Sequence, residues 1–398
     1  MSKCVTVYTQ AYNVENYIEQ CIKSVLSQTF QDFEWILVEN GSTDKTREII
    51  RKYAALDERI KPDYFDVNQD GFTNYYIAEK ADGRYIVKID SDDWIEPEYL
   101  EKLIAPFEDP DVDISICGAV NYEEETGRET PHEYGELDGV YSKSDIEKQF
   151  IEMRSYMGTY WGKMFRREIF CSILPDMKEI GEKLKKGDNF GGDVAFALCY
   201  LGECKKLAFV NERMYHYRIH NNSYATRTIG TNRVFSCLAL RETEHHFLHK
   251  VNAYTEQNVI MVELLFWQNI EQLFKNIIRA DWDTDQKIKT ISEVCANKDL
   301  QLLRKEAYNS KVRTILMGDI AWCYMNAGNS KYLKNVLMLL EPDIFDSISN
   351  ETYEWMRENQ ILMSYIIMGE FDNAKRYMEE ITTGNNVDYI RELQQRMH

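Results

Sequence analysis

Three aspartates stand together in Asp90-Ser-Asp-Asp93, directly after the apolar run Arg84-Tyr-Ile-Val-Lys-Ile89. Carboxylates this close repel one another unless a cation sits among them. Hard oxygen donors with an open face suit Mg2+ or Mn2+, ions that keep several waters and bind substrate phosphates. The competing reading is a solvated turn in which Asp93 caps the next helix. A second polar turn, Asn40-Gly-Ser-Thr-Asp44, also follows an apolar run, Glu34-Trp-Ile-Leu-Val-Glu39. Other groupings promise less. His245 and His249 form an i, i+4 pair beside His246, but no third zinc ligand stands at motif spacing, so a polar helix face is the plainer reading. Lys185-Lys-Gly-Asp188 has no phosphate-loop pattern around it. Neither a Gly-x-Gly-x-x-Gly dinucleotide signature nor a Gly-x-Ser-x-Gly nucleophile elbow is present.

The elements that must position these turns alternate. Lys3 to Thr9 reads as a strand. Tyr17, Ile18, Cys21, Ile22, Val25 and Leu26 then recur at helical spacing, with Asn13 as the expected N-cap. The buried-type strand Glu34 to Glu39 follows, and then a helix presenting Ile49, Ile50, Tyr53 and Ala54. A weaker strand lies at Ile60 to Phe65, a helix at Thr73 to Ala81, and the clearest strand at Arg84 to Ile89. Pro97 opens a further helix, and Val112 to Cys117 is another strand. Strands and helices of these lengths predict right-handed βαβ units on a mostly parallel sheet, with ligands outside the carboxyl ends of the strands. Both acidic turns fall there. Residues 119–145 read as an irregular hairpin.

From about Asn232 the chain becomes helical to its end. Asp319 to Gly328 echoes Gln360 to Gly369, with Tyr and Gly in register, as in stacked helical hairpins of tetratricopeptide type. An ordinary helical bundle fits as well. The expected domains are therefore 1–230 and 231–398, a division in keeping with 398 residues at roughly 150 per domain. Apolar residues such as Leu264, Phe266, Trp267, Leu273 and Phe274 need a partner surface, which makes self-association or acceptor docking the expected work of the second domain.

Charge and composition exclude several classes. With 47 basic and 66 acidic residues the net charge is −19, a field that repels a phosphate backbone, so nucleic acid is not an expected partner. No stretch approaches the ~20 apolar residues of a membrane span. The longest apolar run, Val259 to Trp267, is broken by Glu263. Residues 1–9 read as a strand without a leader pattern. Nine cysteines, an odd count with no close pairing, point to reduced thiols and a cytoplasmic protein, a peripheral contact at the inner membrane face being left open.

A series of segments then resembles glycosyltransferase family 2. It begins with Thr9-Gln-Ala-Tyr-Asn13, Tyr17-Ile18, Ser24 to Phe30 and Phe33 to Val38. It continues through Asn40 to Asp44, Ala81-Asp-Gly-Arg-Tyr85 and Asp90-Ser-Asp-Asp-Trp94. Trp161-Gly-Lys-Met-Phe165, Gly192-Asp193-Val-Ala-Phe196 and Tyr215-His-Tyr-Arg218…Ser223 follow in the family's order. The resemblance covers roughly residues 3–227 and implies an α/β GT-A fold, a Rossmann-like sheet flanked by helices, with the helical region appended.

It also implies inverting transfer of a sugar from a UDP-sugar to a hydroxyl on a surface glycan, a lipid-linked sugar or a protein. Gln10, Ala11, Tyr12 and Asn13 would bind the donor, Tyr12 against the base, and Glu39 would accept from uracil. Asp90, Ser91 and Asp92 would form the Asp-x-Asp motif, with Asp92 and Asp90 on Mn2+ or Mg2+. Asp193 would be the general base, Arg218 and Ser223 would hold the diphosphate, and Trp161 would line the acceptor side. Taken singly, Asp193 also fits a helix cap, Arg218 a surface ion pair and Trp161 the core. The chain departs from the family at Gln10, Glu39-Asn40, Gly192 and Tyr75-Tyr-Ile77, the last in place of a basic donor contact. Two other classes are weighed against the enzyme. A catalytically silent nucleotide-sugar-binding scaffold would act through its helical domain. A nucleotidyltransferase would need an N-terminal Gly- and Lys/Arg-rich signature that is missing here.

Overall fold

A computed structural model describes residues 4–69, 74–132, 137–220 and 232–303. Ser223 and the echoed segments near 319 and 360 lie outside the described residues. These divide into two compact units: 4–182, 191–220 and 243–258 in one, and 183–190, 232–242 and 259–303 in the other.

The first unit is built on a sheet of ten described strands. They are β1 (Val5–Ala11), β2 (Phe33–Asn40), β3 (Ile60–Phe65), β4 (Tyr85–Lys88), β5 (Trp94–Ile95), β6 (Val112–Glu123), β7 (Arg128–Pro131), β8 (Gly139–Ser142), β9 (Lys163–Arg166) and β10 (Lys206–Ile219). The order is β3-β2-β1-β4-β9-β6-β10-β5, with β7 beside β6 and β8 beside β10. β3, β2, β1 and β4 pair in parallel, as do β6 and β10. β9 is antiparallel to both β4 and β6, so those two strands share one direction. The sheet is thus mostly parallel, of the α/β, GT-A type that the resemblance implies.

Local sequence explains the layers. All eight residues of β2 are buried, as expected of a strand covered on both faces. Helix α1 (Ile18–Leu26) turns Ile18, Cys21, Ile22 and Val25 onto one stripe, and α2 (Thr46–Ala54) buries Thr46 and Ile50. All of these but Thr46 join Val5, Val7, Trp35, Leu37 and Val87 in the main core. Each such aliphatic side chain contributes about 1.5–3 kcal/mol when fully buried. α3 (Asn74–Lys80) and α4 (Tyr99–Ile104) complete this half. The irregular hairpin is real where described, as β6 and β7 pair antiparallel around Gly127.

Two expectations about helix starts need correction. Asn13 is not a cap: α1 begins five residues later, and Asn13 takes a left-handed φ of +52°. Its short amide accepts from the Thr43 N–H at 2.8 Å instead, a cross-loop bond that a capping position would forfeit. Pro97 lies two residues before α4, and its carbonyl accepts from Thr29 N.

In the second unit, Val234, Cys237, Phe266, Trp267, Ile270, Leu273, Phe274 and Ile291 form one buried cluster. The apolar residues expected to need a partner surface therefore find it inside this unit, with Leu264 packed at the edge. They supply no argument for self-association. Among the described residues no helix is long and apolar enough to cross a membrane.

Candidate active site

The carboxyl ends of β1, β2 and β4 bring three loops to one edge, and polar side chains lace the first two together. Asn13 N donates to Ser42 Oγ, Val14 N to Thr46 Oγ1 and Glu15 N to Asp44 Oδ2, at 2.9–3.1 Å. Glu15 returns the bond by accepting from Lys45 N at 2.9 Å. Gly41 makes the close turn possible. Its φ is +76°, and a Cβ there would meet the Val67 carbonyl carbon at 2.4 Å. Tyr12 stands on this rim with 39% of its surface exposed, while Ala11 is buried and Gln10 half-buried.

Glu39 lies beneath the same rim, fully buried. Its Oε1 accepts from Ser42 N and its Oε2 from Arg47 Nε, and the Arg47 guanidinium also donates to the Phe65 carbonyl. The carboxylate expected to meet a nucleobase is thus engaged from within the chain, with Arg47 beside it.

The acidic turn after β4 separates into three roles. Asp93 is buried and accepts from Arg218 N and Tyr215 Oη, both at 2.8 Å, while Asp90 N donates to Tyr215 Oη. Asp93 therefore anchors the turn to β10 and does not cap α4. Burial, with Asp92 and Asp90 close by, pushes its carboxyl well above the usual range. Asp90 pairs with Lys88 Nζ at 3.0 Å. Asp92 Oδ2 faces His220 Nε2 at 3.0 Å. Ser91 between them is buried.

Asp92 and His220 fit a divalent ion. Two ligands at right angles around Mg2+, each at 2.0–2.1 Å, lie about 3 Å apart. The other ring nitrogen, His220 Nδ1, is buried without a hydrogen-bond partner among the described residues. Among the described residues no group of three or more His, Cys, Asp or Glu surrounds a common point. The remaining positions would fall to water and substrate phosphate, the usual arrangement for Mg2+.

Arg218 lies at the end of β10, 5% exposed, over the rings of Trp94, Tyr17 and Tyr122 at 4.7–5.3 Å. It donates to the Asp92 carbonyl at 2.8 Å, to Gln20 Oε1 at 2.6 Å and to Glu124. The guanidinium clamps the acidic turn from behind rather than standing free.

Asp193 occupies the first turn of α5 (Gly192–Glu203), whose N-cap is Gly191 without a side-chain cap bond. Its side chain is exposed at the surface of the first unit. Loss of bulk solvent there raises its pKa, Lys88 and Lys163 pull it down, and Asp90 pushes it up. Trp161 is 5% exposed and stacks on Tyr215 at 4.5 Å and Tyr217 at 5.4 Å, so it packs against β10. Lys163 fixes that loop by donating to Thr159 O at 2.6 Å, Thr159 Oγ1 at 2.9 Å and Trp161 O at 3.2 Å, and burial brings it down to about 7.

The structure thus gathers Asp90, Asp92, Arg218 and Asp193 around one edge of the first unit. Sequence reading missed Lys88, His220 and Arg47. Lys88 and His220 lie inside or beside segments already singled out, two residues from Asp90 and Arg218 respectively, and that proximity was their only signal.

Residues 6–174 match the family described as "Glycosyl transferase family 2". The putative glycosyltransferase EpsH of Bacillus subtilis (strain 168) is 31% identical over 305 residues, 75% of this chain and 84% of EpsH. The glycosyltransferase GlyA of Streptococcus pneumoniae is 29% identical over 227 residues, 55% of this chain but 31% of GlyA. Among solved structures, TarS 1-349 of S. aureus in complex with UDP-GlcNAc covers 93% of this chain and 92% of its own, at 16% identity and a TM-score of 0.44.

Proposed function

The chain belongs to glycosyltransferase family 2, and from that premise we propose that it transfers a sugar from a UDP-sugar to an acceptor hydroxyl with inversion, in one displacement that depends on a divalent metal. The observation that carries this reading is the meeting of Asp92 and His220 just beyond β4 and β10, with Asp193 within electrostatic reach of Asp90 on the same acidic turn.

Asp193 takes the proton from the acceptor hydroxyl as that oxygen attacks the anomeric carbon, and its raised pKa suits a general base. The bond from the anomeric carbon to the diphosphate oxygen breaks on the opposite face, and the diphosphate leaves with the electron pair. Asp92 and His220 would hold Mn2+ or Mg2+, which when bound neutralises charge on the leaving diphosphate. Asp90 remains the second expected ligand, in competition with its pair to Lys88. Arg218 serves the diphosphate through the turn that it clamps. Tyr12 offers an exposed ring for the base, with Glu39 and Arg47 below. Trp161 backs the acceptor side. Glycan acceptors, as in polysaccharide synthesis, fit a family-2 transferase, and the helical residues 231–398 would serve docking.

Hydrolysis of a panel of nucleotide-sugars with Mn2+ tests the proposal. Turnover is the expected result. Thermal stabilisation by UDP without any turnover would instead make the protein a nucleotide-sugar-binding scaffold.

A further inference from the structure

In the proposed reaction the sugar must lie between the turn bearing Asp92 and the base Asp193. Lys88 lies on that path. Its Nζ is 3.0 Å from Asp90 Oδ1, within electrostatic range of Asp193, and over the Tyr160 ring at 5.1 Å. The side chain is 25% exposed, so the ammonium is neither sealed in the core nor free in solvent. An ammonium has three donors, and one reaches Asp90.

Beside it, β1 and β4 pair Tyr8 with Lys88 in register. Tyr8 is 2% exposed, and its hydroxyl has no hydrogen-bond partner among the described residues. Lys88 and Asp90 both act on it electrostatically. A buried hydroxyl without a partner lowers stability, and a phenylalanine would fill the same space without that loss. A buried polar group left without a partner calls for an explanation, and a ligand that uses it supplies one.

We propose that Lys88 binds a hydroxyl or amide oxygen of the transferred sugar, with the neighbouring Tyr8 hydroxyl as a second donor to the same sugar, and that this sugar is a neutral hexose or N-acetylhexosamine. The choice of a neutral sugar follows from charge. Asp90 and Asp193 face the Lys88 ammonium, Lys163 spends its donors on Thr159 and Trp161, and the charge of a bound divalent ion is matched by the diphosphate, so the carboxylate of a hexuronate would add repulsion. This inference rests on the donor reading above and assigns the part of the donor that no other described side chain addresses.

Calorimetry on the full chain with Mn2+ tests it, using UDP, UDP-glucose, UDP-N-acetylglucosamine and UDP-glucuronate. In the wild type a neutral sugar nucleotide is expected to bind more tightly than UDP, and UDP-glucuronate more weakly than either neutral donor. Lys88→Met should leave the Kd of UDP within about twofold and weaken the neutral donor by roughly tenfold, the factor that one charge-assisted hydrogen bond supplies. Tyr8→Phe should weaken the same donor while its Tm stays level or rises. Equal losses for UDP and donor in Lys88→Met would make Lys88 only a support for Asp90 and overturn the proposal. A fall in Tm for Tyr8→Phe, or preferential binding of UDP-glucuronate, would overturn it as well. A wild type that binds UDP and every sugar nucleotide equally refutes this subsite alone, whereas one that binds none refutes the donor reading beneath it.

Discussion

Asp92 and His220 are 128 residues apart in the chain, yet Asp92 Oδ2 and His220 Nε2 meet at 3.0 Å. One comes from the turn after β4 and the other from the end of β10, so the sheet alone makes the pair. Asp92→Asn and His220→Gln are each expected to weaken Mn2+ binding by at least the roughly 10–100-fold that loss of a supporting partner costs. Asp93→Asn should weaken it far less. Titration of Mn2+ by calorimetry decides, and full affinity in Asp92→Asn would remove the site.

Asp193→Asn keeps size but removes the proton acceptor, so turnover should fall on the order of 10²–10⁴-fold while UDP affinity barely moves. Because the folded carboxyl titrates above its ordinary value, the wild-type rate should decline on acidification from a pH above ~4. An acid limb at or below ~4, or a variant that no longer binds UDP, would show a structural role instead.

The nucleobase prediction concerns Glu39. UDP should bind more tightly than GDP, and Glu39→Ala should narrow the gap by leaving Arg47 without its buried partner beneath the rim that carries Tyr12. Preference for GDP in the wild type would refute the assignment.

Asp93 gives a pH signature in stability. Its folded pKa is raised, so its stabilising protonated form is fully present below the ordinary aspartate value near ~4 and lost as pH rises through the folded value. The stability of the wild type minus that of Asp93→Asn should therefore decrease as pH rises from ~4 toward neutrality. Urea unfolding at a series of pH values, without added metal, measures the slope, and a difference that grows with pH would contradict it.

The boundary at residue 230 can be tested through Arg154. Its guanidinium bonds Glu244 at 2.6 Å, with the two side chains 11% and 2% exposed, inside the first unit. Glu244→Ala leaves that charge buried and should cost about 3–5 kcal/mol. A chain ending at 230 would lose the same partner and should be less stable than the whole protein. Equal melting temperatures would favour the boundary drawn from sequence.

Apolar periodicity alone determined the strands at β1 to β4, the helices between them and the placement of both acidic turns at strand ends. Local hydrophobic pattern is strong where a strand is buried on both faces, as β2 is. The ordered motifs identified the family and marked Asp90, Asp92, Asp193 and Arg218. What they could not supply is which polar group meets which. Asn13 reads locally as a cap, because the Thr43 amide that claims it is 30 residues away. Asp93 reads as solvated until β10 brings Arg218 and Tyr215 to it. Leu273 and Phe274 read as an unpartnered face until the fold gathers them with Val234 and Ile291 in one buried cluster. Lys88 is an ordinary strand residue in sequence, and only the sheet seats it between two carboxylates and a lone phenol. Secondary structure answers to neighbours a few residues away, whereas hydrogen-bond partners and charge environment depend on distances that tertiary packing alone sets.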